Sequence, residues 1–373
     1  MKSKIHLQLS DFIYDLPEHA IAQEPLEKRD SAKLLVKHAD GKISHKTIKE
    51  LASCIPSHAL LIVNETKVIP SRLFGYTDQG GRIEIMLLEQ DAADQNQWYI
   101  IGKPMKKFKT GFKINFDKSC IGSIVEGPTS HGDQPAVAKI KFTADIPFDQ
   151  WLSMNGYIPL PPYIKREHAK TASSSPDRER YQTVYAAEEY PGSAAAPTAG
   201  LHFTQEVFES LQERNIDIAK VTLHVGAGTF LPVKSENIDL HKMHCERYLI
   251  NRQEWSKIKS AQSKNRPIIA VGTTTFRCIE SFQLMLNQSG DSSEKHLDQW
   301  QQTDLFIRPK FASDIYQPLT INGIMTNFHQ PGSTLLMLIS SLLGYGTTQS
   351  IYKSAIEKKY RFLSYGDSSL LFL

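Results

Sequence analysis

Four histidines stand where a chain could do proton chemistry: His202 in "AAPTAGLHF", His224 in "TLHVGAGTF", His244 in "MHCERY" and His329 in "TNFHQPGST". A neutral imidazole takes or gives a proton near pH 7, which suits general acid–base work. A single histidine is more often a hydrogen-bonded structural residue. Several on successive loops among Gly, Ala and Thr point instead to a shared reaction centre. Thr273, Thr274, Arg277, Asn327 and Asp367 add polar groups on similar loops. The stretch Gly226-Ala227-Gly228-Thr229 follows a strand-like run and could bring backbone N–H groups close to a ligand. It lacks the third glycine of the dinucleotide fingerprint, and the chain has no phosphate loop ending GK[ST], no GxSxG and no HExxH. "HKMHCE" (241–246) offers His241, His244, Cys245 and Glu246. Zinc accepts such ligands, but their spacing matches no defined zinc motif, so a zinc-dependent hydrolase is an alternative and no metal is assigned.

These residues need elements to hold them. From residue 197 onward the rhythm is strand, polar loop, helix. "TQEVFESLQERN" puts Val207, Phe208 and Leu211 on one helical face with Thr204 as N-cap. "IDIAKVTLHV", "RPIIAV" and "INGIMTNF" read as strands, each ending in one of the loops above. Alternating strands and helices predict a parallel α/β arrangement with its ligand site on the loops after the strands. Residues 72–155 differ, with short strand-like runs separated by Gly, Pro, Asp and Asn and no helical period. They predict a small antiparallel barrel. The expected organisation is α/β, with a large barrel-like domain (1–71 and 156–373) and an inserted small antiparallel β-barrel domain (72–155).

The totals fit such a plan. The chain has 373 residues, 40% hydrophobic and 22% charged, which suits a globular protein and excludes wholesale disorder. "LLMLISSLLG" (335–344) is too short to span a bilayer and reads as a buried helix. The first residues lack a signal peptide's apolar stretch and cleavage site. Four scattered cysteines form no CxxC pair. A cytoplasmic protein with no membrane partner is expected. A formal net charge of +3 excludes a general polycation. "GKPMKKFKTGFK" (102–113) nevertheless holds five lysines and no acid. It reads as a hairpin turning near Thr110-Gly111 that could meet phosphates or simply guard a sheet edge.

Taken together, "YQTVYA" (181–186), "AAPTAGLHF", "TLHVGAGTF", "MHCERY", "VGTTTFR" (271–277), "TNFHQPGST" and "YRFLSYGD" (360–367) resemble one family. It is the S-adenosylmethionine:tRNA ribosyltransferase-isomerase family of queuosine biosynthesis. "DFIYDLPEHAIAQEPLEKRDSAKLLV" (11–36), "VIPSRLFG" (68–75) and "GYIPLPPYI" (156–164) fit it too, so the resemblance runs in order from residue 11 to 370. It implies transfer and isomerisation of the ribosyl group of S-adenosylmethionine onto 7-aminomethyl-7-deazaguanine at the tRNA wobble position. Adenine and methionine leave, and epoxyqueuosine-tRNA forms. No cofactor is implied, since S-adenosylmethionine is a co-substrate.

On this reading His224 or His202 is the expected base, with His329 and Glu246 supporting adenine departure or substrate orientation. The expected substrate-binding set is Thr198, Gly200, Gly226, Gly228, Thr229, Thr273, Thr274, Arg277, Asn327 and Asp367. For tRNA, Arg72, Lys106, Lys107, Tyr181 and Gln182 are candidates, Tyr181 as an aromatic on which a splayed base stacks. The chain departs from the family pattern at Gly332, where a lysine is usual, and at "FIRPKF" (306–311). Those departures leave a non-catalytic tRNA-binding module as a further alternative. Without a long heptad or exposed apolar stripe, a monomer is expected.

Overall fold

The computed structural model describes residues 6–130, 136–166, 176–226, 233, 235–289 and 295–373. Nine strands form one large mixed sheet: β1 (Lys33–Lys37), β2 (Ile43–Thr47), β3 (Leu60–Asn64), β12 (Asp217–Leu223), β13 (Glu246–Leu249), β14 (Ile268–Val271), β15 (Gln301–Thr303), β16 (Gly323–Asn327) and β17 (Ser368–Phe372). Their order is β15-β13-β12-β3-β14-β16-β17-β1-β2. The four central strands β12, β3, β14 and β16 run parallel. β3, β14 and β16 are buried at every position, as strands covered on both faces must be.

The sheet's side chains divide by parity. Leu60, Ile62, Ile268, Ala270 and Ile324 pack into one core. Leu61, Val63, Ile269, Val271 and Met325 pack into the other. Each wholly buried aliphatic side chain contributes about 1.5–3 kcal/mol. Helices α1 (Leu51–Cys54) and α4 (Gln205–Glu213) cover the second face. Helices α5 (Arg252–Ser263), α6 (Thr273–Ser289), α7 (Thr334–Leu343) and α8 (Tyr345–Glu357) cover the first. The remaining short helices are α2 (Phe148–Asn155) and α3 (Asp177–Arg180). The cap of α4 is as expected: Thr204 Oγ1 accepts from the Val207 N–H at 3.4 Å, while Val207 and Leu211 face the core.

The α/β class and the inserted barrel are both present, with two refinements. The large sheet runs between free edges β15 and β2, so it is open where a barrel-like form was expected. It is also mixed rather than parallel, because β13 returns antiparallel beside β12 and β17 returns antiparallel beside β16. Periodicity reports which face a residue takes, not the direction of its strand.

Six antiparallel strands close the barrel in the order β10-β7-β6-β5-β8-β9. They are β5 (Arg72–Tyr76), β6 (Arg82–Gln90), β7 (Gln97–Lys103), β8 (Lys113–Asn115), β9 (Cys120–Thr129) and β10 (Val137–Ala144). Its core holds Ile83, Ile85, Ile100, Phe108 and Ile140, with α2 contributing Phe148, Trp151 and Leu152. A Cβ on Gly102 would sit 2.6 Å from the Phe108 ring, which is why the strand carries none there. The lysine-rich stretch is not a hairpin. β7 pairs with β6 and β10, whereas β8 pairs with β5 and β9. Barrel closure therefore carries 104–112 across the barrel's end through the 3-10 turn Met105–Lys107.

The barrel's two connections to the large domain lie side by side, since Arg72 and Tyr157 exchange backbone hydrogen bonds at 3.1 and 2.8 Å. A short two-stranded ribbon of β4 (Lys67–Val68) and β11 (Pro191–Ser193) lies between the barrel and the sheet in sequence. No helix among the described residues is long and apolar enough to cross a membrane.

Candidate active site

Because β12, β3, β14 and β16 are parallel, their carboxyl ends share one sheet edge. The antiparallel β13 and β17 bring their amino ends to the same edge. The loops at this edge enclose a cleft of about 1170 Å³ of empty space, its open mouth included. This is the expected location for a ligand in an open α/β sheet.

One wall is made of small residues. Ala195, Ala196, Pro197, Thr198 and Ala199 line the cleft, held to the neighbouring loop by Ala194 N–H donating to the Val225 carbonyl at 3.0 Å. Their missing bulk is the cleft's volume. The opposite wall comes from the loop before β13 and from the first turns of α6. His241, Met243, His244 and Glu246 face Gly272, Thr273, Thr274 and Arg277. The floor is Thr326, Asn327, Phe328 and His329 at the end of β16, together with Leu363 and Ser364 before β17.

Glu246 and Arg277 form a buried ion pair, each 4% exposed. Glu246 Oε1 also accepts from the Gly226 N–H at 3.2 Å, and Arg277 Nε donates to the Leu305 carbonyl at 3.0 Å. The guanidinium's third nitrogen, Nη2, is buried with no hydrogen-bond partner. His244 and Glu246, two residues apart, both line the cleft. Burial lowers the His244 pKa, and the Glu246 carboxylate opposes that shift. His241 is also lowered, by burial and then by His244. Burial holds His329 at about 3, so its imidazole is neutral at pH 7. Its Nε2 lies 3.1 Å from Thr326 Oγ1, and its backbone N–H donates to the Tyr352 hydroxyl at 3.0 Å.

The structure thus brings His329, Glu246, Thr198, Thr273, Thr274, Arg277, Asn327 and Tyr181 to one cleft and leaves other expected residues outside. His224 is displaced by alternation: Val225 lines the cleft, so its neighbour points away. There His224 Nδ1 meets Thr66 Oγ1 at 2.8 Å, the ring lies tilted at 32° against Trp300 with centroids 4.6 Å apart, and burial with Arg247 lowers its pKa to about 4. His202 ends the 3-10 turn that Thr198 begins and faces a separate small cavity with Arg29, Ser364 and Gly366. Its pKa falls to about 4, chiefly through burial. Its Nε2 and the Asn327 Oδ1 lack full hydrogen bonds, although the amide is near enough to favour the charged imidazole. Of the histidines, His241, His244 and His329 line the cleft, whereas His224 and His202 lie outside it.

Several of the expected substrate contacts also have partners within the fold. A Cβ on Gly200 would lie 1.9 Å from the Tyr185 hydroxyl oxygen, so this glycine makes room for a partly buried tyrosine. Asp367 accepts from the backbone N–H groups of Lys33 at 2.9 Å and Arg361 at 2.8 Å, tying β1 to the turn before β17. The Gly226 N–H donates to Glu246 Oε1 at 3.2 Å. Gly228 and Thr229 lie outside the described residues.

Of the tRNA candidates, Tyr181 is 0% exposed and packs edge-on against Tyr365, so it offers no open face for a base. Arg72 is paired with Glu84, and the Gln182 amide is bonded on both sides to the Val68 backbone. Lys106 and Lys107 are exposed on the barrel. His241, His244, Cys245 and Glu246 do not converge. Among the described residues no three His, Cys, Asp or Glu side chains are grouped to hold a metal.

Sequence reasoning named His244 but left it out of the site. The signal was its spacing of two from Glu246. Tyr163, Ser333 and Gln330, which also line the cleft, carried no such signal.

Comparison with known proteins bears on the same span. The family model described as "Queuosine biosynthesis protein" matches residues 9–371. The chain is 43% identical to the S-adenosylmethionine:tRNA ribosyltransferase-isomerase of Carboxydothermus hydrogenoformans, over 98% of this chain and 100% of that one. It is 41% identical to the enzyme of the same name from Desulforamulus reducens, with the same coverage. Among solved structures it resembles the S-adenosylmethionine tRNA ribosyltransferase of Thermotoga maritima. That match has a TM-score of 0.50 at 27% identity and covers 97% of this chain and 100% of that one.

Proposed function

The chain belongs to the queuosine biosynthesis protein family and is an S-adenosylmethionine:tRNA ribosyltransferase-isomerase, and from this we infer that the cleft at the sheet edge is where both substrates react. The observation that carries the reading is the convergence of His244, Glu246, Arg277 and His329 on a cleft walled by alanines. Such a cleft admits bulky nucleosides close to imidazole and backbone.

The reaction is proton management around a cation. The sulfonium of S-adenosylmethionine acidifies the ribose 5′ carbon, and a base removes that proton to leave an ylide. Adenine departs with a proton delivered to its ring. The aminomethyl nitrogen of 7-aminomethyl-7-deazaguanine then attacks as a neutral amine, and methionine leaves as the epoxide closes. His244 is the base in this scheme. Burial favours its neutral form, and the Glu246 carboxylate steadies the imidazolium once the proton arrives. His329, held neutral, hydrogen-bonds the purine without adding positive charge beside the sulfonium.

The barrel, residues 72–155, serves as one inserted unit whose exposed Lys106 and Lys107 meet the tRNA backbone. The enzyme works as a cytoplasmic monomer on tRNA already carrying the modified base.

The test is turnover with S-adenosylmethionine and tRNA bearing 7-aminomethyl-7-deazaguanine, followed by released adenine, methionine and the mass of the digested nucleoside. His244→Ala should lower kcat by roughly 10²–10⁴-fold with tRNA affinity changed less than about threefold. An unchanged kcat removes His244 from the mechanism.

A further inference from the structure

We propose that Arg277 and the first turn of α6 form the subsite for the α-amino-acid end of S-adenosylmethionine, with the guanidinium taking the α-carboxylate. The proposal rests on the functional reading above and adds which end of which substrate this wall receives.

Two independent features meet there. The first is Nη2 of Arg277, which is buried and unpartnered although Nε and Nη1 are both bonded, on a residue 4% exposed at the cleft wall. A buried guanidinium nitrogen without an acceptor is costly unless a ligand supplies one. The second is the amino end of α6, a helix of 17 residues. The first helical hydrogen bond runs from Phe276 N–H to the Gly272 carbonyl, so the N–H groups of Thr273, Thr274 and Thr275 have no acceptor within the helix. Thr273 and Thr274 line the cleft, and Arg277 lies one turn beyond Thr273 on the same helical face. An anion placed here meets the guanidinium and the positive end of the helix together.

The charge balance chooses between anions. Arg277 is the one lysine or arginine among the described residues lining the cleft, and its ion pair with Glu246 already neutralises it. A phosphate would bring one or two further negative charges against the Glu246 carboxylate. A zwitterion fits instead: its carboxylate goes to Nη2 and the helix end, and its ammonium goes toward Glu246, whose oxygens accept more than one donor. The α-amino acid of the co-substrate, and of the methionine product, is that zwitterion.

The experiment compares S-adenosylmethionine with its decarboxylated analogue, each with the modified tRNA. Wild-type enzyme should prefer S-adenosylmethionine by about 100-fold in kcat/KM, mostly through KM, the scale of one charged hydrogen-bonded contact. In the double variant Arg277→Gln/Glu246→Gln, which leaves no lone buried charge, the preference should fall below about threefold. Arg277→Lys should retain part of it. A wild type indifferent to the carboxylate, a double variant that keeps the preference, or a loss confined to the KM for tRNA would each overturn the proposal.

A second measurement is independent of turnover. Methionine should raise the wild-type melting temperature and methioninol, which lacks the carboxylate, should not; the double variant should respond to neither. Equal stabilisation by both compounds sinks the subsite. If the wild type fails to turn over S-adenosylmethionine, the functional reading falls, while the methionine contrast still decides what this wall binds.

Discussion

At the scale of single residues, the site depends on which way side chains face. The sequence shows His224 and Val225 as neighbours, but only the fold decides that valine takes the cleft and histidine takes Trp300. Motif content made Glu246, Arg277, Asn327 and His329 legible. Facing was legible only where two chemical residues shared a parity, as His244 and Glu246 do. That pair has a pH signature. The Glu246 carboxylate raises the pKa of His244, so Glu246→Gln should lower it. The acid limb of the kcat–pH profile should then move to lower pH as kcat itself drops, and a limb that stays put would separate the two residues. Buried histidines also set acid stability. His202 and His329 are held near 4 and 3, below the ordinary value of 6.5. Below pH 6.5 the unfolded chain binds protons these residues refuse, so stability is lost as pH falls toward those values. At pH 5 each contributes a loss on the order of 2 kcal/mol. Urea unfolding at pH 7 and pH 5 measures it, and His329→Asn should show a shallower dependence than the wild type.

At the scale of elements, strands and helices were readable because burial imposes periodicity, and the change of texture at the barrel was readable for the same reason. Pairing was not. The lysine stretch looked like a hairpin because two strand-like runs flank a turn, yet barrel closure assigns each run to other partners. Glu280 shows the same limit inside a helix. It lies on α6 close to Arg277, but it accepts from the Tyr316 hydroxyl at 2.7 Å and the Leu319 N–H at 3.1 Å, so it anchors the chain leading to β16 and not a substrate. The 3-10 turn Thr198–His202 is a positioning element of the same sort. Gly200→Ala should force Tyr185 aside and cost about 1–3 kcal/mol. Thermal melts check this, and an unshifted midpoint would mean the tyrosine relaxes freely.

At the scale of the whole molecule, a near-neutral protein must concentrate its attraction for RNA. Affinity for the modified tRNA should fall steeply as salt rises. Replacing both Lys106 and Lys107 with Gln should reduce the slope of log K against log[salt] by about 2 if each meets one phosphate. An unchanged slope would move the tRNA contact off the barrel. The large sheet also has a temporal side. β17 sits between β16 and β1, and β1 pairs in parallel with it. On a ribosome adding about 5–20 residues per second, Lys33–Lys37 emerges on the order of tens of seconds before Ser368–Phe372 exists to receive it. The barrel, whose strands all lie between Arg72 and Ala144, can close long before then. Throughout synthesis the edge of β1 that will meet β17 has no partner, and the loop before β17, whose Leu363 and Ser364 complete the cleft floor, arrives among the last residues made.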